Sequence, residues 1–279
     1  MIEAAFFMAS EIVYRPLESM ADLNRIPPLE QTIWRMAPDG LLSPDILRAL
    51  THNGGVIIGA ETEGRLIGFT LGFPARKGDE WWLWSHVAGV DPAYQGRGVG
   101  FELKQRQRLW AMEHAYDTIR WTFDPMQRGN ANFNLHRLGA VVQTYHIDHY
   151  GEMTDSINAG LRSDRFEAVW HLRDSRVVAF AAGKTPPPRT TDYPSEAFLL
   201  RAEEGRLVRL PIDPDFQWHF VEIPYDLHGL KTTQTEQALR WQLAFREVML
   251  DALGRGYTVV DFFIQDNQCW YVLMRDDGH

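Results

Sequence analysis

Val90-Asp91-Pro92-Ala93-Tyr94-Gln95-Gly96-Arg97-Gly98-Val99-Gly100 is the stretch on which the fold turns. It leads from a segment rich in aromatic and β-branched residues, Trp81 to Val90, into one with helical apolar spacing, Val99 to Ala115. Glycines at a strand-to-helix passage let the backbone approach an anion with no Cβ in the way. The first N–H groups of a helix have no intrahelical acceptor, and the helix dipole adds partial positive charge there. A pyrophosphate suits such a nest, and an ordinary tight turn is the plain alternative. Phe101-Glu102 stands where a Walker loop needs Lys-Ser/Thr. The loop also follows a fourth strand, not the first strand on which a dinucleotide fingerprint belongs.

Working outward, Glu11–Leu17 reads as a first strand and Met20–Trp34 as a helix interrupted at Pro27-Pro28. Ser43-Pro44-Asp45 is a strong helix start, and that helix stops near His52. Val56–Glu61 and Arg65–Phe73 form a hairpin through Thr62-Glu63-Gly64. In the helix after the loop, Val99, Leu103, Trp110 and Met112 are expected inward. Downstream come a strand at Thr118–Phe123, a short helix at Asn130–Leu138 ended by Gly139, and strands at Ala140–Tyr145 and Arg165–Leu172. This order predicts an α+β (mixed α/β) domain, a central mixed sheet flanked by helices.

Thr185-Pro-Pro-Pro188-Arg-Thr-Thr191 reads as a stiff exposed linker, which places a first domain over 1–185 and a smaller α+β domain over 186–279. In the second, strands are expected at Ala197–Arg201, Arg206–Pro211, Trp218–Pro224, Tyr257–Ile264 and Cys269–Met274, with a long helix from Thr233 to Leu253. Trp218–Ile264 repeats the strand, helix, strand order of the loop region without its glycines. Two roles are open for this part: a degenerate half-copy of the first domain, or a dimerisation module that makes the protein a homodimer.

The loop and its flanking elements resemble the acyl-CoA-binding segment of the GNAT superfamily, whose signature Gln/Arg-x-x-Gly-x-Gly/Ala is met here by Gln95, Gly98 and Gly100. The resemblance covers roughly residues 11–175 and implies a GNAT-like fold. It implies acetyl-CoA or another acyl-CoA as co-substrate, and direct N-acyl transfer to the amine of a small molecule. By it, the backbone of Gln95, Gly96, Arg97, Gly98, Val99 and Gly100 holds the pyrophosphate, and Ala88, Gly89 and Val90 pair with the pantetheine. Arg97 and Lys104 are candidates for the outer phosphates, with a solvated helix face the plain reading of Lys104 and Arg106. Segments Thr122–Gln127 and Asn132–Gly139 resemble a GNAT subgroup with a C-terminal extension, associated with racemases of N-acylamino acids. That likeness implies an amino acid acceptor and succinyl-CoA as a donor to test.

A second segment, Arg128 to Gly139, departs from the family pattern: Arg128 replaces an asparagine, Leu135 a tyrosine and Ala140 a phenylalanine. The tyrosine often protonates the departing thiolate, so Asn134 and Tyr145 are named as replacements. His86, just before the pantetheine-pairing residues, is the candidate base, since an ordinary imidazole titrates near ~6.5. Alternation places it on the face opposite Ser85 and Val87, and a buried structural histidine is the plain reading. Asp124 either binds the acceptor amine or makes an Asx turn before Pro125. Tyr145-His-Ile-Asp-His-Tyr150 lacks metal-ligand spacing, so no metal is expected. The missing tyrosine keeps an alternative open, a CoA-binding protein with little transferase activity and a structural or partner-binding second domain.

Composition bounds the rest. The hydrophobic fraction is 45% and the net charge −9, which supplies a core and argues against nucleic-acid binding. The acidity is concentrated after Pro186, with 9 Lys+Arg against 15 Asp+Glu, while the first 185 residues carry 19 against 22. The single cysteine, Cys269, excludes an intramolecular disulfide and points to a reducing cytoplasm. The N-terminal run Met1–Ser10 lacks the cations of a signal peptide and reads as a packed extension or an interface. No stretch reaches the ~20 apolar residues of a membrane span.

Overall fold

A computed structural model of the chain describes residues 11–35, 38–151, 161–184 and 193–275. The expectations for the N-terminal run and for the Thr185–Thr191 linker fall outside these residues. The chain divides into two compact units, Met1–Ile119 and Arg120–His279.

In the first unit, β1 (Val13–Pro16) is followed by α1 (Met20–Leu23), α2 (Ile26–Trp34), α3 (Pro44–His52), β2 (Val56–Thr62), β3 (Arg65–Lys77), β4 (Glu80–Val90) and α4 (Val99–Glu113). The prolines do not break a helix as expected. Pro27 and Pro28 fall in the first turn of α2, where a missing N–H costs nothing, and the true break is the gap after Leu23. A capping box on α1, Ser19 with Asp22, was not read from the sequence. The strands lie in the order β1-β2-β3-β4, all antiparallel. Leu23, Ile26 and Leu47 from the first helices close over Ile57, Phe69 and Leu71 of the sheet.

The boundary strand β5 (Thr118–Phe123) opens the second unit, followed by α5 (Arg128–Ala131), β6 (Val141–His146), β7 (Arg165–His171), α6 (Ser175–Ala181), β8 (Phe198–Glu203), β9 (Arg206–Arg209), β10 (Trp218–Ile223), α7 (Leu227–Thr233), α8 (Thr235–Gly254), β11 (Tyr257–Gln265) and β12 (Gln268–Arg275). Their order is β5-β7-β6-β11-β12-β10-β8-β9. The pair β8/β10 is parallel and makes this sheet mixed. The strand, helix, strand run of β10, α8 and β11 is present, with β12 between its two strands.

Residues before and after the expected linker share this one sheet and core. Val142 of β6 pairs with Val259 of β11. Phe166 packs edge-on against Tyr145 and Tyr271 and lies 5.7 Å from Phe245. The compact units divide at Ile119/Arg120, while the boundary expected at 185/186 lies outside the described residues. A proline run is a signal of local stiffness; it carries no information about whether strands on its two sides pair.

Candidate active site

The glycine loop lies wholly within the first unit. After β4, Asp91 turns the chain by accepting the Ala93 N–H at 2.9 Å, and Arg65 holds its other oxygen at 2.5 Å. The Gln95 side chain reaches back to the Val90 carbonyl at 3.0 Å. Gly96 (φ 75°) and Gly98 (φ 82°) adopt left-handed backbone that a Cβ would strain, and an added Cβ at either would meet nothing within 4 Å. The first bond of α4 runs from the Glu102 N–H to the Gly98 carbonyl at 3.0 Å, so the Val99 and Gly100 N–H groups have no intrahelical acceptor. Gln95, Gly96, Arg97 and Gly98 are exposed, with the Arg97 guanidinium 5.2 Å from the Tyr94 ring centre. The result is an exposed row of amides at a helix start. Its chemistry fits a pyrophosphate.

Ala88, Gly89 and Val90 pair with Thr70, Phe69 and Gly68 of β3 along one edge. A Cβ at Gly89 would sit 2.7 Å from the Trp34 ring, which would have to shift to admit it. His86 lies at a β-bulge: Leu71 pairs with Val87 and Gly72 with Ser85, leaving His86 as the extra residue. The bulge breaks the alternation assumed from the sequence. Ser85 faces α4, whereas Val87 packs into the cluster of Ile57, Phe69 and Leu71. His86 is exposed at its edge, and its ring lies 5.8 Å from Phe73. Burial around the ring lowers its pKa below the ordinary imidazole value.

Lys104 overturns the outer-phosphate reading. Its side chain turns inward, 3% exposed, and Nζ donates to Ser85 Oγ and Gln107 Oε1, both at 2.9 Å. Ser85 Oγ also donates to Gln107 Oε1 at 2.9 Å, so the three tie α4 to β4 just before the bulge. Gln105, Gln107 and Arg108 are buried on the same helix, while Trp110 and Met112, expected inward, are only partly so. Arg106 is exposed, as a solvated face requires, and pairs with Glu102 at 2.6 Å.

Burial lowers the Lys104 pKa to about 7 from 10.5. The unfolded chain therefore binds one more proton across pH 7 to 10.5, and stability rises with pH through that window. At and below pH 7 the folded chain carries the burial penalty. Denaturant titrations should show wild type gaining about 2 kcal/mol on Lys104→Met between pH 7 and 9. Parallel pH curves for the two proteins would contradict this assignment.

The remaining candidates belong to the second unit. Asp124 makes the Asx turn, accepting the Met126 N–H at 2.8 Å. Burial raises its pKa, opposed by that N–H, Arg165, Gln127 and Lys231. Asn134 is 6% exposed in a π-helical turn, Asn132–Arg137, where its carbonyl accepts the Ala140 N–H at 3.0 Å. Tyr145 is buried and donates to Asp164 at 2.6 Å, and Arg246 grips that carboxylate at 2.8 Å through both Nε and a terminal nitrogen. Burial, then Asp164, pushes the phenol pKa far up. A phenol held this way is a poor proton donor, which counts against Tyr145 as the acid. Neither Asp164 nor Arg246 was singled out from the sequence; no local signal links positions 82 residues apart.

His146 pairs with Glu167 at 2.9 Å and its ring lies 4.7 Å from that of His149. Among the described residues no group of three or more His, Cys, Asp or Glu side chains is placed to hold a metal ion. Cys269 is fully buried, its thiol pushed up to about 12 by burial. No described helix is long and apolar enough to cross a membrane.

Residues 19–140, less than half the chain, match the acetyltransferase (GNAT) family model, so this stretch carries a GNAT acetyltransferase domain. The chain has the α+β fold expected, a mixed sheet flanked by helices. No curated protein matches. Similar solved structures include the ribosomal-protein-S18-alanine N-acetyltransferase of Escherichia coli, at 16% identity over 59% of this chain and 96% of that one, TM-score 0.47. An N-acetyltransferase from Staphylococcus aureus is 17% identical over 59% and 100%, TM-score 0.47. A Salmonella typhimurium protein described as an acetyltransferase, solved with its cofactor acetyl-CoA, is 18% identical over 58% and 95%, TM-score 0.47.

Proposed function

We propose that the chain transfers an acyl group from acyl-CoA to the amine of a small molecule. The observation that carries the reading is the glycine loop that opens α4, exposed from Gln95 to Gly98, with open space over both positive-φ glycines. Those amides take the pyrophosphate, and the Ala88–Val90 backbone takes the pantetheine as a strand would. The neutral amine attacks the thioester carbonyl; the C–N bond forms, the C–S bond breaks, and the thiolate leaves with a proton while the amine gives one up.

His86 is the proposed base. Its lowered pKa keeps the imidazole neutral at pH 7, which a proton acceptor needs. The acid limb of kcat/KM should then fall below ~6.5 in wild type and vanish in His86→Gln. An unchanged pH profile would remove His86 from this role. The acceptor reading extends to amino acids and the donor to succinyl-CoA, on the resemblance to the racemase-associated subgroup. The acidic composition supports an amine over a nucleic acid as acceptor, and a reducing cytoplasm and a homodimer remain part of the proposal.

One observation favours a second reading, a CoA-binding protein with little transfer. Leu135 stands at the family tyrosine, and Tyr145 is committed to Asp164. Thiol release, followed with acetyl-CoA and succinyl-CoA across a panel of amino acids and simple amines, separates the two. Acceptor-dependent release supports the enzyme; tight CoA binding with no release from any pair supports the second reading.

A further inference from the structure

We propose that the second unit holds a binding site for a small aromatic amino acid, between β8, β10 and the β11–β12 turn. A cavity of about 460 Å³ opens there, lined by Phe198, Arg201, Glu222, Asp266 and Trp270 among others. Its origin is an irregularity in the sheet. Phe220 pairs with Phe198 but Val221 pairs with Leu200, so two residues of β8 span one step of β10. Such bulges re-aim side chains and part the strands.

The chemistry of the lining is two-sided. Glu222 and Trp270 are direct cross-strand partners and so share one face of the sheet. Glu222 accepts the Ala202 N–H at 2.9 Å, and burial raises its pKa. With Glu203, which pairs with Arg201, and Asp266 at the turn, three carboxylates meet one guanidinium. That surplus suits an ammonium. The opposite need is shown by two buried donors. Trp270 is 6% exposed and its indole N–H has no acceptor among the described residues, nor has the Arg201 Nε–H. Buried donors are satisfied by default, so a carboxylate supplied by a ligand, with a small side-chain adjustment, completes this pair.

The rings set the third requirement. Phe198 lies 5.9 Å from Trp270 at 69°, and Trp270 lies 6.4 Å from Phe263 at 89°. These rings form an aromatic ledge beside the charged groups, matched by a flat apolar side chain. An ammonium, a carboxylate and an aromatic body together describe an aromatic amino acid.

The site does not depend on the acyl-CoA reading, and its test contains no CoA. Calorimetric titration of the full chain with L-phenylalanine, phenethylamine and 3-phenylpropionate separates the contributions. L-phenylalanine should bind, and each one-headed probe at least tenfold more weakly. Glu222→Gln should weaken L-phenylalanine at least tenfold and leave 3-phenylpropionate unchanged, whereas Arg201→Met and Trp270→Phe should weaken both carboxylate probes. Circular dichroism checks each fold; should Glu222→Gln not fold, Asp266→Asn on the exposed turn carries the amine arm. No binding of any probe at millimolar concentration, or L-phenylalanine binding unaltered in every variant, overturns the proposal.

Discussion

Gly98→Trp is expected to lower CoA affinity at least 100-fold while the chain stays folded. Gly98 is the N-cap of α4 with φ 82°, and nothing lies within 4 Å of where its Cβ would point. The indole therefore projects into open space, where the pyrophosphate is proposed to sit, instead of into the core. Left-handed backbone at a residue with a side chain costs roughly 1–2 kcal/mol, which most folded chains tolerate. The binding loss is larger. A pyrophosphate held by backbone amides makes several charge-assisted hydrogen bonds of about 1.5–3 kcal/mol each, and losing one or two already gives 100-fold.

A control with the same backbone strain isolates that effect. Gly64 in the β2–β3 turn has φ 75° and an equally empty surround. Gly64→Trp should cost similar stability and leave CoA affinity within a factor of two or three. Equal losses in the two variants would mean that strain, and not blockage of the nest, governs binding.

Asp164→Ala should produce the largest loss of stability, about 3–5 kcal/mol in denaturant titration. Asp164 is fully buried and accepts from both Arg246 nitrogens, the Tyr145 hydroxyl and the Asp148 N–H. Truncation leaves a guanidinium and a phenol without their acceptor in the core. Asp164→Asn keeps the shape and some of the bonds and should recover part of the loss. A cost below about 1 kcal/mol for the alanine variant would show that water replaces the carboxylate. The same contact bears on domain organisation, because Asp164 precedes the proline segment and Arg246 follows it. Arg162 and Gln242 repeat the crossing through a reciprocal pair at 2.9 and 2.8 Å, as do Tyr271 and the Pro125 carbonyl at 2.6 Å.

Local patterns carried the first unit. The hairpin at Thr62-Glu63-Gly64, the aromatic β4 strand and the glycine loop are governed by turn chemistry and alternation, which act over a few residues. The α+β class followed from their order. The failures share a cause. Lys104 reads as solvent-facing by residue type, yet its position on α4 faces β4, and its Nζ donates hydrogen bonds to Ser85 and Gln107. His86 sits on a bulge, which shifts every later side chain to the other face and leaves no composition signal. Helix α6 was legible and was missed: Asp174 caps it by accepting the Arg176 N–H, and Gly183 follows its end with φ 77°. The sheet that joins Val142 to Val259 is a long-range pairing, and no window of local sequence encodes it.

The central claim is that the amides opening α4 hold the CoA pyrophosphate, and backbone hydrogen exchange at those residues tests it most directly. In the free protein the N–H groups from Gly96 to Gly100 should exchange fast, since Gly96 to Gly98 are exposed and the N–H groups of Val99 and Gly100 have no intrahelical acceptor. Saturating CoA should slow exchange there selectively, with Gly64 and its turn unchanged. CoA binding established by calorimetry, with exchange from Gly96 to Gly100 unaltered, would contradict the assignment.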